Sequence, residues 1–148
     1  MADNFGLKIG VEGEKEFKRA LSDINQSFKV LGSEMKLVES EFGKNENSVQ
    51  SLTSKNEVLT KQIDAQKDKI ETLRKALENA SSSFGENDRR TQAWAVQLNN
   101  AQAELNGMER ELKGNEKALD SVADEFNAAE KQADLFGDEL DKTGKDAD

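Results

Sequence analysis

The chain has 148 residues with a formal net charge of -9, of which 34% are charged and 34% hydrophobic, and it contains no Cys, His or Pro. The lack of Cys and His excludes disulfides, thiolate chemistry and the commonest acid–base and zinc-ligand side chains, so we expect neither an enzyme nor a cofactor or metal site. The acidic balance repels phosphate backbones and anionic lipids, which argues against direct nucleic-acid or membrane partners.

No stretch approaches the roughly 20 apolar residues that span a bilayer, and the first residues lack the pattern of a secretory signal. The sequence therefore predicts a soluble, cytosolic segment. The apolar residues lie in narrow stripes, which is typical of elongated helical proteins and not of a thick globular core.

The first element, residues 1–13, is predicted to be a strand-like segment. Phe5, Leu7, Ile9 and Val11 alternate with glycine and lysine, which is the period-two pattern of a half-buried strand. Because a lone strand has no partner in this chain, it would pair with a strand elsewhere or remain frayed.

A first helix is predicted over residues 14–42, with Gly13 as its N-cap. Its apolar stripe has spacings of three and four throughout and consists of Phe17, Leu21, Ile24, Phe28, Leu31, Met35, Val38 and Phe42. The run from Gly43 to Asn47 supplies a terminal glycine and capping side chains, which predict the end of this helix and the start of the next.

Two longer helices are predicted over residues 48–84 and 88–136, followed by a frayed acidic tail at 137–148. Both helices keep a period of 3.5 residues, which is typical of a left-handed coiled coil. The leucine and isoleucine positions of this seam are Leu59, Ile63, Ile70, Leu73, Leu77, Leu98, Leu105, Leu112 and Leu119. Gly107 and Gly114 interrupt the third helix, and the sequence leaves open whether they lie on its outer face or form a hinge.

Weak helix formers and capping residues fill the stretch between the two long helices, so we expect the chain to reverse at Gly85–Glu86 and form a hairpin. In that register Trp94 faces Leu77 and closes the hairpin end, although it could instead be a binding-surface aromatic. Further pairs on the seam are Leu73 with Leu98, Ile70 with Ala101, Gln66 with Leu105, Ile63 with Met108, and Leu59 with Leu112.

The hypothesis about the register depends on three polar seam positions, which are Asn56, Gln66 and Asn115. Asn56 faces Asn115 in the hairpin, where each amide could satisfy the other, and any slip would place an amide against leucines. Two alternatives remain: a parallel rod, in which each Asn meets its symmetry mates, and a hairpin slipped by one heptad, in which Ile63 faces Asn115.

Several phrases of the sequence resemble a known family. They are residues 31–42 (LGSEMKLVESEF), 52–56 (LTSKN), 61–70 (KQIDAQKDKI) and 105–112 (LNGMEREL). In this order, and over about residues 7–122, the chain resembles the N-terminal region of tail tape-measure proteins from long-tailed bacteriophages and prophages. The resemblance implies a structural protein that sets tail length and scaffolds tail-tube assembly, in the host cytoplasm during assembly and then in the lumen of the virion tail.

The resemblance also implies partners: self-association as a trimer or hexamer, and contact with tail-tube, tail-tip or tail-assembly chaperone proteins. At 148 residues the chain would be only the start of such a protein, so we expect a fragment. The predicted fold class is all-α, an antiparallel coiled-coil hairpin or an elongated three-helix bundle with the N-terminal strand-like segment. The alternative function is a coiled-coil adaptor or chaperone-like module that grips a partner with the hairpin tip at residues 82–90.

Overall fold

The computed structural model describes residues 10–43 and 45–147, and for residues 126, 127 and 129–147 it describes the backbone alone. The described chain forms three helices: α1 (Gly10–Phe42), α2 (Val49–Phe84) and α3 (Arg89–Ala147). No strand occurs within these ranges, which confirms the predicted all-α class.

The predicted N-terminal strand is not supported. Phe5, Leu7 and Ile9 lie outside the described residues, whereas Val11, the last residue of that pattern, is in the first turn of α1. Gly13, the predicted N-cap, lies inside α1 and is buried, because the helix begins three residues earlier at Gly10.

The end of α3 also differs from the sequence prediction. The helix was expected to stop at Phe136, but its backbone is helical as far as Ala147. The added stretch contains no proline, so no residue in it lacks the backbone N–H that a helix needs. The starts of α2 and α3, at Val49 and Arg89, each lie one residue from the predicted ones.

The three helices run up, down and up. The backbone N–H of Gly10, at the start of α1, donates to Asn79 and Ser83 near the end of α2, whereas Glu34 lies 3.9 Å from Lys61. Residue numbers therefore rise along α1 as they fall along α2. Between α2 and α3, Gln66 bonds to the backbone of Ala101, and the tight turn at Gly85 reverses the chain.

The helix α2 is the centre of the bundle. The described backbones of α1 and α3 both approach α2, but they come no closer than 8 Å to each other between Cα atoms. A single apolar cluster nevertheless spans all three helices, because side chains of α1 reach Trp94 of α3. Its buried members are Phe17, Leu21, Leu59, Ile63, Ile70, Leu73, Ala76, Ala80, Trp94, Ala101 and Leu105.

A second stripe on α2 faces α1. Heptad positions c and g of α2, off the seam with α3, include the buried residues Ser51, Lys55, Val58 and Ala76. The same stripe contains Asn79 and Ser83, which bond to Gly10, and Lys69, whose Nζ lies 5.8 Å from the ring centre of Phe28. Most residues on this stripe are small or polar. The face of α2 that α1 covers therefore shows no apolar 3.5-residue repeat.

Candidate functional site

The hairpin tip is a short turn held by capping interactions. Gly85 ends α2 with φ of 94° and donates its backbone N–H to the carbonyl of Ser81 at 3.0 Å. Only glycine adopts this φ without strain. On the other side of the turn, the hydroxyl of the buried Thr91 donates to the carbonyl of Gly85 at 2.7 Å. The two helices are therefore joined by a turn with satisfied backbone groups.

Asp88 begins α3 as its N-cap. Its Oδ1 accepts from the backbone N–H of Arg90 at 2.8 Å and from Arg90 Nε at 3.0 Å, while Oδ2 accepts from the guanidinium at 3.1 Å. The Arg90 side-chain hydrogen bonds are the main reason that the pKa of Asp88 lies below its ordinary value of 3.8, and the same contact raises the pKa of Arg90.

The guanidinium of Arg90 also stacks on the ring of Phe84, at 3.5 Å from the ring centre. This cation–π contact links the last residue of α2 to the first turn of α3. The sequence identified Gly85 and Glu86 as the turn but did not identify Asp88, Arg90 and Phe84 as the residues that fix it. Glu86 is exposed and lies within the turn.

Trp94 is 2% exposed and belongs to the apolar cluster next to the tip. It lines a groove with Leu21 of α1 and shares the apolar cluster with residues of α2, so it lies between the three helices at this end. The structure thus places it as a core residue that closes the hairpin, not as a surface aromatic.

The predicted seam residues lie on the interface between α2 and α3. Leu59, Ile63, Ile70, Leu73 and Leu105 are buried, while Leu77, Leu98 and Leu112 are half-buried and pack against the same cluster. Leu119 lies beside Asn56 at the far end of the interface. Within one chain the seam is antiparallel, and Ile63 lines a groove with Leu112, Ile70 with Leu105 and Asn56 with Leu119. These neighbours differ from the predicted pairs, which were Ile63 with Met108, Ile70 with Ala101 and Asn56 with Asn115.

Gln66 is buried within this seam, at 1% exposure. Its Nε2 donates to the carbonyl of Ala101 at 2.8 Å and to Glu104 Oε2 at 3.2 Å, whereas its buried Oε1 accepts no hydrogen bond. The amide therefore ties α2 to the turn of α3 that precedes Leu105. This contact opposes sliding of the two helices, because a slip would leave the donor unpaired as well.

The expected exchange of hydrogen bonds between Asn56 and Asn115 is not found. Asn56 Oδ1 is buried and accepts no hydrogen bond from the described residues. Asn56 lines a groove with Leu119, while Asn115 lines a separate groove with Leu52 and Met35. The two asparagines therefore have different neighbours and do not face each other as a pair.

The connection between α1 and α2 contains contacts that the sequence analysis missed. Ser48 is the N-cap of α2, and its Oγ accepts from Ser51 N–H at 3.1 Å. Ser51 Oγ and Lys55 Nζ then both donate to the carbonyl of Glu46, at 3.0 and 3.1 Å. The loop is therefore fastened to the first turns of α2, and the burial of Lys55 follows from its place on the α1-facing stripe.

The start of α1 is held by a contact across the bundle. Gly10 N–H donates to Asn79 Oδ1 and to Ser83 Oγ, both at 3.2 Å, and Asn79 Nδ2 donates back to the Gly10 carbonyl at 3.3 Å. Side chains of α2 thus bind the backbone polar groups of the first residue of α1. No local pattern could have predicted this, since the two partners are 69 residues apart.

These arrangements fix the geometry of the turns and of the helix interfaces. Among the side chains that the structure describes, no group of three or more acidic residues is placed to hold a metal ion. No described helix is long and apolar enough to cross a membrane. The two features with the most specific geometry are the hairpin tip and the polar seam.

Comparison with protein-family models, with curated proteins and with solved structures yields no match to this chain.

Proposed function

We propose that the chain is a structural, non-catalytic module: the N-terminal coiled-coil part of a tail tape-measure protein of a long-tailed phage or prophage. The observation that supports this proposal best is the apolar seam that runs along the bundle, combined with the order of the sequence phrases at residues 31–42, 52–56, 61–70 and 105–112. A module built this way transmits length and position instead of performing a reaction.

The proposed place of action is the host cytoplasm during assembly and then the lumen of the virion tail. The proposed partners are tail-tube, tail-tip or tail-assembly chaperone proteins, together with further copies of the chain. In this role the module scaffolds the polymerising tube, and the complete protein sets tail length.

The fold favours an anchoring role for this segment over a measuring one. Residues 10–125 as one continuous helix would extend about 170 Å, whereas three passes reduce the length to that of residues 89–125, about 55 Å. The length of a folded three-helix bundle changes less per added residue than the length of one extended helix. A bundle therefore suits an end domain better than a segment that measures tail length.

A matched deletion tests the proposal and distinguishes the two roles. Removing one heptad from each helix in register, residues 29–35, 60–66 and 105–111, keeps the packing and shortens the chain by 21 residues, or about 32 Å of helix. If the segment measures length in an extended form, tails seen by electron microscopy shorten by that amount. If it anchors, tail length stays constant while deletion of residues 10–125 stops assembly. Tails of normal number and length without this segment would refute the proposal.

A second candidate function is an adaptor that grips a partner with its tip, and the ordered turn favours it. Because Asp88, Arg90 and Phe84 hold the turn, the exposed Glu86, Asn87 and Arg89 are presented on a fixed backbone. A triple alanine variant at the exposed positions would abolish capture of a partner by such an adaptor. The matched control is a triple alanine variant at the exposed Asn99, Gln102 and Asn106 of α3, which would leave capture unchanged.

A further inference from the structure

The outer face of α1 carries two apolar side chains that stay more than half exposed in the bundle. Val30 and Leu37 are 53% and 61% exposed, and they are one heptad apart, so they lie on one face of the helix. That face is opposite the stripe through Phe28 and Leu31, which points towards α2. Packing within the chain therefore does not explain either residue.

Charges flank this pair in an ordered way. With Val30 and Leu37 as heptad a positions, Lys29 and Lys36 occupy g, while Glu34 and Glu41 occupy e. Both lysines and Glu41 are exposed. Glu34 lies 3.9 Å from Lys61, but both side chains are well exposed, so this pair is weak and leaves the carboxylate accessible.

The pattern selects an orientation for a second helix. In a parallel pair, each g side chain faces the e position five residues later on the partner, so Lys29 would face a glutamate at position 34 and Lys36 one at position 41. In an antiparallel pair, g faces g and e faces e, which would bring lysine to lysine and glutamate to glutamate. The face is complementary to itself in the parallel orientation alone.

We propose that α1 associates in parallel with α1 of a second copy of this chain through this outer face, defined by Val30, Leu37 and their flanking charges. The d positions between them are Ser33 and Ser40, which are small enough for the two backbones to approach closely. The bundle leaves this face open, since α2 lies on the opposite side of α1, at Phe28. The helix α3 meets α1 only through side chains, with Trp94 and Gln97 lining a groove beside Leu21 and Lys29, and no described Cα atoms of the two helices come within 8 Å. The inference uses the surface of α1 alone and does not depend on the proposed tail function.

The contact covers about two heptads, well below the roughly 1,600 Å² of a standard stable interface, so it is weak in dilute solution and strengthens when copies are held near one another. A kinetic test by disulfide trapping suits such a contact, and the chain has no native cysteine to interfere.

The test uses S40C in the full chain under mild oxidation. In a parallel pair the two introduced thiols face each other, whereas in an antiparallel pair centred between residues 33 and 34 position 40 faces position 27. The control is S121C, at an exposed position on α3. We expect S40C to form disulfide-linked dimers about tenfold faster or more than S121C, which corresponds to a modest local preference for the paired state.

Charge reversal identifies the cause. K29E/K36E in the S40C background should lower the crosslinking rate to that of S121C, as should E34K/E41K, because each variant places like charges across the pair. An equal mixture of the two variants should restore fast, heterodimeric crosslinking. All four positions are accessible to solvent, so circular dichroism and thermal melting should show an unchanged fold. The proposal is overturned if S40C crosslinks no faster than S121C, or if charge reversal leaves the rate of S40C unchanged.

Discussion

The side-chain amide of Asn79 forms two hydrogen bonds with one residue of another helix, accepting from Gly10 N–H at 3.2 Å and donating to the Gly10 carbonyl at 3.3 Å. Gly10 has φ of 65°, in the left-handed region where glycine is favoured, so the backbone turns into α1 at this point. The contact fastens the first turn of α1 to the last turns of α2.

Asn79→Ala should therefore release the start of α1. The loss of two hydrogen bonds costs about 1–2 kcal/mol, and the better helix propensity of alanine offsets about 0.5 kcal/mol of this. Amide hydrogen exchange should show lower protection at the first turn of α1, and urea unfolding should show a small loss of stability. Ser82→Ala, at an exposed position in the same turn of α2, controls for the gain in helix propensity and should leave the protection of α1 unchanged. Equal protection in both variants would show that Asn79 does not hold the start of α1.

The polar seam gives a second prediction. Because Asn56 Oδ1 is buried without a hydrogen bond, Asn56→Leu should stabilise the bundle by about 1 kcal/mol beyond the gain in helix propensity. The exposed Asn99→Leu measures that propensity gain alone. In a double-mutant cycle with Asn115→Leu, the coupling free energy should stay below about 0.5 kcal/mol, because Asn56 Oδ1 accepts no hydrogen bond from Asn115. A larger coupling would restore the paired-asparagine hypothesis.

Trp94 should be the most sensitive position near the tip. Trp94→Ala removes the side chain that lies between the three helices and should cost about 3–5 kcal/mol. Val96→Ala, two residues away and 57% exposed, should change stability by less than about 0.5 kcal/mol. Since the chain contains one Trp, a blue-shifted emission maximum that moves to the red on unfolding reports this core directly.

The tip should respond to acid. Asp88 has a lowered pKa in the folded state, so its ionised form stabilises the turn above the unfolded pKa, and this contribution is lost as the pH falls through the folded value, below 3.8. Arg90→Gln should raise the pKa of Asp88 towards 3.8, as measured by carboxyl NMR titration. Arg89→Gln should shift it less, because Arg89 acts through charge alone and makes the smallest contribution. Equal shifts in the two variants would show that the hydrogen bonds do not hold the carboxylate.

Glycines in α3 offer a stabilising change. Gly114 is exposed within the helix, and no heavy atom lies within 4 Å of where a Cβ would be added. Gly114→Ala should therefore raise the unfolding free energy by about 0.5–1 kcal/mol. At Gly85, where the space is equally open but φ is 94°, alanine should instead destabilise by about 1 kcal/mol or more. Thermal melts of the two variants should move in opposite directions.

The sequence predicts the helices and the α2–α3 seam well because a 3.5-residue repeat depends on local spacing alone. Residues such as Leu73 and Leu105 are placed by that period, and the turn at Gly85 by the known preference of glycine for positive φ. Burial of Trp94 follows from its seam position next to the turn.

Contacts between distant parts of the chain could not be predicted in this way. The sequence predicts that α1 starts at residue 14 with Gly13 as its N-cap, whereas the helix starts at Gly10, whose backbone bonds to Asn79 and Ser83 of α2. The face of α2 towards α1 was missed because Ser51, Lys55 and Asn79 do not form an apolar period. The pairing of Asn56 with Asn115 was not found, since an amide's orientation depends on side-chain packing that spacing does not describe.

The three-pass topology has a mechanical consequence. Gly10 lies at the tip end of the bundle, next to Ser83, whereas α3 begins at the tip and its residue 125 lies at the opposite end. A force applied between these two points acts along the helix axes. Such a load shears every turn of the α2 interfaces at once instead of opening them one turn at a time, so this bundle should resist stretching far better than a two-helix hairpin pulled at its open end.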